Sequence, residues 1–156
     1  MGTLNILLVD DDQNLVTTLS YGLRKAMGEV ISVAVCFSGS EALSMLATQA
    51  FDVVVSDFNM PGMSGLELLK QIRQDHRETI LVLITAYATD ELEKEANRLA
   101  IGYITKPFEL PLLMKLIQGK ETREGTENAP RILVQEVNAD PGRLTTKVFI
   151  DQGGSN

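Results

Sequence analysis

A single cysteine, a single histidine and no run of basic residues narrow what this 156-residue chain can be. With Cys36 alone no intrachain disulfide can form. Its place in Val33-Ala34-Val35-Cys36-Phe37 reads as strand core, which fits a reducing compartment. His76 lies in Gln74-Asp75-His76-Arg77-Glu78, a polar helix end or loop, and reads as a solvated surface residue rather than a phosphate carrier or metal ligand. The formal net charge of -7 gives a nucleic-acid-binding surface little electrostatic support. No long apolar stretch is present, and the N-terminus runs into a strand without a basic flank. Neither a signal peptide nor a membrane span is expected, and the chain reads as cytoplasmic. A nucleotide loop of the form G-x-x-x-x-G-K-[ST] is also missing.

What is present is a set of acids in costly places. Asp57 ends the apolar run Phe51-Asp52-Val53-Val54-Val55-Ser56, and Asp10-Asp11-Asp12 ends Leu4-Asn5-Ile6-Leu7-Leu8-Val9. Carboxylates are expensive to hold among apolar strands, so several at strand C-termini suggest a shared site around a cation. The run Ile80-Leu81-Val82-Leu83-Ile84 stops at Thr85, and Tyr103-Ile104-Thr105 stops at Lys106-Pro107. Acids, a hydroxyl and an ammonium at four strand ends suit the handling of a phosphoryl group beside a divalent metal.

With 44% apolar and 22% charged residues the chain supports one core with an appendage. Leu15, Leu19 and Leu23 recur four apart, with Val16, Ala26 and Met27 beside them, which predicts a helix with one buried face, ended by Gly28. Ser38-Gly39-Ser40 offers caps for a helix carrying Ala42, Leu43, Leu46 and Ala47. Pro61-Gly62-Met63-Ser64-Gly65 leads into a third helix, Thr89-Asp90 caps a fourth, and Pro111 sits in the first turn of a fifth. Apolar strands alternating with helices predict an α/β fold, a doubly wound five-stranded parallel sheet covered on both faces, with its ligand crevice outside the strand C-termini. This domain is expected over 1–118, followed by a polar linker over 119–130. Two β-patterned segments around Asn138-Ala139-Asp140-Pro141-Gly142-Arg143 predict a C-terminal β-hairpin extension over 131–150, and 151–156 reads as a flexible tail.

In order and at the expected strand ends, Val9-Asp10-Asp11, Ser56-Asp57-Phe58-Asn59-Met60-Pro61-Gly62-Met63-Ser64-Gly65, Thr85-Ala86 and Lys106-Pro107-Phe108 make residues 4–118 resemble the receiver domain of bacterial two-component response regulators. The resemblance implies a flavodoxin-like strand order of 2-1-3-4-5. It implies that Asp57 is the phosphoacceptor, taking a phosphoryl group from a phosphohistidine on a sensor histidine kinase or histidine phosphotransfer protein. Mg2+ would be held by Asp10, Asp11, Asp57 and the backbone carbonyl of Asn59, with Asp12 more suited to capping the first helix. Thr85 and Lys106 would meet the phosphoryl oxygens, Tyr103 would be the aromatic switch, and the Lys106-Pro107 bond would be cis. Asn59 and Tyr87 fall at the two variable positions that tune phosphoryl lifetime.

Partners beyond the kinase are expected to be an unidentified downstream protein and, through the hairpin, a second copy of the chain. No nucleic acid or membrane partner is expected: residues 119–156 show no helix-turn-helix pattern and hold five basic against six acidic residues. Two rival readings remain. Asp10-Asp11-Asp12 contains the Asp-x-Asp of haloacid-dehalogenase-type phosphatases, but Gln13 and Asn14 run straight into a helix with no cap insertion, and the Asp57 loop would go unexplained. A receiver-shaped module that never carries phosphate is not favoured either, because every expected site residue is in place.

Overall fold

The computed structural model describes residues 2–118; the expected linker at 119–130, hairpin at 131–150 and tail at 151–156 lie outside the described residues. Five largely apolar segments form strands β1 (Leu4–Val9), β2 (Ile31–Cys36), β3 (Val53–Asp57), β4 (Ile80–Thr85) and β5 (Gly102–Thr105). They alternate with helices α1 (Gln13–Met27), α2 (Gly39–Thr48), α3 (Gly65–Asp75), α4 (Asp90–Arg98) and α5 (Leu110–Gln118). All strand pairs are parallel and the sheet order is β2-β1-β3-β4-β5, as the resemblance implied.

Side chains alternate across a strand with period two, and the sheet uses both faces. Ile6, Leu8, Val53, Val55, Val82, Ile84 and Ile104 pack with Val16 and Leu23 of α1 and Leu113, Leu116 and Ile117 of α5. On the opposite face Leu7, Val9, Val54, Leu81, Leu83 and Tyr103 pack with Ala42, Leu68, Leu69, Ile72, Leu92 and Ala96 from α2, α3 and α4. Each fully buried aliphatic side chain contributes about 2 kcal/mol. This two-sided burial explains why the strands read as continuous apolar runs.

The helix starts follow the capping residues seen in the sequence. Asp12 accepts the Leu15 N–H, Ser38 the Glu41 N–H and Thr89 the Leu92 N–H, while Ser64 and Glu67 form a reciprocal capping box. Gly28 ends α1 at φ 66, where a side chain would be strained.

The buried face of α1 differs from the expected stripe. Val16, Ser20 and Leu23 are buried, whereas Leu15 is 37% exposed and Ala26 is exposed. At about 100° per residue, positions 16, 20, 23 and 27 share one face, and Leu15 lies roughly 110° around the helix from it. A four-residue spacing drifts by about 40° each step, so the row from Leu15 to Leu23 climbs from solvent into the core.

Candidate functional site

The winding of the sheet reverses between β1 and β3, and the C-terminal ends of those two strands open the crevice that such a reversal creates. Backbone hydrogen bonds fix the segments leaving it. The Asp10 N–H donates to Cys36 O (3.2 Å), Phe58 N–H to Ile84 O (2.7 Å) and Lys106 N–H to Thr85 O (2.7 Å). The loop after Asp57 closes on itself where Gly65 N–H donates to Phe58 O (2.9 Å). A methyl group at Gly65 would collide with the Asp57 carbonyl, so only glycine allows α3 to start this close to the acid.

Within this frame Asp10, Asp11 and Asp57 each present a carboxylate oxygen within 4.8 Å of the others. Lys106 Nζ lies 2.5 Å from Asp57 Oδ1 and 3.9 Å from Asp10 Oδ2. The other Asp57 oxygen accepts the Asn59 N–H (3.1 Å), which holds the Asn59 peptide beside the acid. Asp10 Oδ1 accepts the Asp12 N–H (2.9 Å). Asp12 therefore serves twice, capping α1 with its side chain and bracing Asp10 with its backbone. The signal for the second role was the short-range turn that an Asp makes with the N–H two residues on.

The Asp10 carboxyl is pushed up to about 6. Burial is the main cause, reinforced by the charges of Asp57 and Asp11 and opposed by the Asp12 N–H and Lys106. One lysine beside three acids leaves excess negative charge, and the oxygen-only donor set suits a hard divalent cation that keeps part of its water shell. These residues fit Mg2+.

The expected site residues divide into two groups. Asp10, Asp11, Asp57 and Lys106 come together, with the Asn59 N–H bonded to Asp57. Thr85 ends β4 next to the Ile84–Asp57 pair and is buried, but its hydroxyl faces the backbone of Tyr87, accepting the Tyr87 N–H at 3.1 Å. Tyr103 belongs to the core on the α2–α4 face, 1% exposed, and its hydroxyl is buried without a hydrogen-bond partner. Burial first and Glu93 second push that phenol upward, against a weak influence of the Thr89 backbone. The Lys106–Pro107 bond is cis.

Two large apolar side chains are exposed here: Tyr87, expected at a variable position flanking the site, and Leu15, expected on the buried face of α1. Leu15 carries the N–H capped by Asp12, and Tyr87, 77% exposed, carries the N–H bonded to Thr85. Cys36 is buried as expected, and its thiol is pushed up to about 11, chiefly by burial, so it is inert.

A doubly wound parallel sheet with acids and a lysine at its reversal point belongs to the class of α/β domains that work at strand C-termini. Within that class the sequence matches the response regulator receiver domain over residues 6–118, and the chain belongs to that family. It is similar to response regulator protein FleR of Pseudomonas aeruginosa, at 41% identity over 72% of this chain and 23% of FleR. It is also similar to regulatory protein VanRB of Enterococcus faecalis, at 33% identity over 79% of this chain and 54% of VanRB. The chain thus spans about a quarter to a half of these relatives. Among solved structures, chemotaxis response regulator CheY4 of Vibrio cholerae matches with a TM-score of 0.67 and 30% identity, over 76% of this chain and 99% of that one. DrrB of Thermotoga maritima matches with a TM-score of 0.68 and 29% identity, over 78% of this chain and 54% of that one. Receiver domains are phosphoacceptor signalling domains rather than conventional enzymes. They bind Mg2+ at an acidic pocket, and response regulators interact with histidine kinases in two-component signalling. Among the described residues no helix is long and apolar enough to cross a membrane.

Proposed function

We propose that Asp57 accepts a phosphoryl group from a phosphohistidine on a sensor histidine kinase or histidine phosphotransfer protein, in the cytoplasm, and that the chain passes the signal on through protein contacts. The observation that carries this reading is the Asp57 carboxylate, held at a strand end between the Lys106 ammonium at 2.5 Å and the acids Asp10 and Asp11. One Asp57 oxygen attacks phosphorus, the P–N bond to the donor imidazole breaks, and the electron pair returns to that ring, leaving an acyl phosphate on Asp57. The Asn59 N–H bond and the Lys106 pair orient the carboxylate before attack. As the phosphoryl group arrives, Lys106 exchanges its carboxylate partner for a phosphoryl oxygen, and the Thr85 hydroxyl leaves Tyr87 for another. Asp10, Asp11, Asp57 and the Asn59 carbonyl would hold Mg2+, which when bound neutralises phosphoryl oxygen charge. Movement of Thr85 is passed to Tyr103, the switch residue, and so to the face formed by α4, β5 and α5, where the downstream protein binds.

Incubation with acetyl phosphate and Mg2+, followed by intact-mass measurement, tests this. One labile phosphoryl group per chain is expected, lost in Asp57→Asn and on chelation of the metal. Full labelling of Asp57→Asn would sink the assignment, and sustained turnover of a generic phosphomonoester would favour the phosphatase reading. The patterned segment at 131–150 supports a further part of the proposal, that two copies of the chain associate through it.

A further inference from the structure

Helix α4 is held very differently at its two ends. At the C-terminal end Ala100 N–H donates to Asn97 O (3.1 Å) and Ile101 N–H to Ala96 O (2.8 Å), a turn that normally ends in glycine. Here the left-handed residue is Ala100, at φ 55, so this turn is strained and needs outside support. Arg73, in the last turn of α3, supplies it. Its Nε donates to Leu99 O (3.0 Å) and Nη2 to Ala100 O (3.1 Å). Its Nη1 is shared among Thr79 O (2.9 Å), Arg77 O (3.0 Å) and His76 O (3.2 Å). One planar cation thus meets carbonyls just past the C-terminal ends of two helices and ties both to Thr79, the residue before β4. One turn earlier on α3, Lys70 pairs with Glu95 at 2.9 Å, and Glu95 also binds Arg98.

The N-terminal end of α4 is the opposite case. Residues Ala86 through Glu91 are exposed, and α4 buries only Leu92 and Ala96 along its length. That exposed segment runs directly from Thr85, whose hydroxyl binds the Tyr87 N–H.

We propose that Arg73 is the fulcrum of α4: it fixes the turn at 99–101 to α3, so that a change at the strand-end site, entering through Thr85 and Tyr87, moves the N-terminal end of the helix about a stationary C-terminal end. The trigger rests on the phosphoacceptor reading above, whereas the clamp is a property of the unmodified protein.

Hydrogen exchange on the full chain tests both parts. In the unmodified protein the Ala100 and Ile101 amides, both bonded within the turn, are expected to exchange about tenfold faster in Arg73→Gln, with Arg73→Lys intermediate because an ammonium cannot reproduce the fork. On adding beryllofluoride and Mg2+ to the wild type, exchange is expected to change at 86–92 and to stay constant at 99–101; in Arg73→Gln the change spreads to 99–101. Exchange at 99–101 within twofold of wild type in Arg73→Gln overturns the clamp. A beryllofluoride response as large at 99–101 as at 86–92 in the wild type overturns the pivot. Should Arg73→Gln not fold, the wild-type response and Arg73→Lys still decide. Failure of Asp57 to label in the mass assay removes the phosphoacceptor trigger alone, and the unmodified-protein comparison still decides the clamp.

Discussion

Replacing Asp10 by asparagine is expected to stabilise the metal-free protein, because the wild-type carboxylate is held against its own solvation. The residue is 8% exposed and its carboxyl is pushed from 3.8 to about 6, first by burial and then by Asp57 and Asp11. A shift of that size corresponds to about 3 kcal/mol between the two protonation states, and screening by neighbouring water reduces the expected effect to about 2 kcal/mol. Asparagine keeps an oxygen able to accept the Asp12 N–H while removing the charge. For a domain of this size, about 2 kcal/mol raises Tm by about 8 °C.

The sign of the pH dependence follows from the direction of the shift. The folded state holds the Asp10 proton more tightly than the unfolded state, so between pH 3.8 and about 6 folding takes up a proton. Asp10 therefore penalises folding least below pH 3.8, and its penalty grows as pH rises to about 6. Asp10→Asn carries no such dependence, so the gap between the two proteins opens over this range and is flat above it. Urea unfolding of both proteins in a chelator, at pH 4 and pH 7.5, measures the gap. Millimolar Mg2+ should narrow it at pH 7.5 by stabilising the wild type preferentially. No gain at pH 7.5, or the same gain at pH 4, refutes the reasoning.

Lys106→Ala is expected to retain labelling of Asp57 while weakening the exchange response at 86–92, since the ammonium is one of the two groups that change partner; equal responses in variant and wild type would count against that route. Removing the cation also leaves Asp57 and Asp10 unneutralised, with an expected loss of about 1–2 kcal/mol in the metal-free protein by urea unfolding. Tyr103→Phe deletes a buried oxygen without a partner and should raise stability by about 1 kcal/mol, checked by the same assay; a loss of that size would mean the hydroxyl is satisfied in solution. Truncation after Gln118 should preserve labelling and lower the apparent mass by light scattering, and unchanged mass would remove the dimer proposal.

The parts of the fold legible in the sequence are those governed by local chemistry or simple period. Asp12, Ser38 and Thr89 cap the helices expected of them, because a cap is a short-range bond between a side chain and the next turn. The strands were legible because a parallel sheet covered on both faces leaves no polar alternation to confuse with helix. The gathering of Asp10, Asp11, Asp57 and Lys106 was legible through their common position at strand ends. The partners of Arg73 were not. Two of its acceptors are the carbonyls of residues 99 and 100, distant in sequence, and a backbone carbonyl leaves no mark on residue identity. The exposure of Leu15 was hidden by a spacing that is nearly, but not quite, the helical repeat. Likewise, sequence order cannot show that Lys106 sits closer to Asp57 than to Asp10, since that depends on the path of a four-carbon stem through the crevice.

The inward position of Tyr103 bears on how little force a switch of the proposed kind needs. Burying the ring gains about 2 kcal/mol, while leaving its hydroxyl without a partner costs about 1–3 kcal/mol. The two contributions nearly cancel, so inward and outward positions of the ring lie close in free energy even though the side chain is almost wholly covered. Close balance is what a relay through Thr85 requires, because about 1.4 kcal/mol then changes the populations tenfold. One hydrogen bond donated by the Thr85 hydroxyl, moved from Tyr87 O (3.4 Å) to a phosphoryl oxygen, is of that size. A fully satisfied tyrosine would need a larger input, and a phenylalanine would favour the inward position whatever the state of Asp57. On this argument the partnerless hydroxyl is the feature that keeps the ring responsive, and the stability gained in Tyr103→Phe measures how much bias it removes.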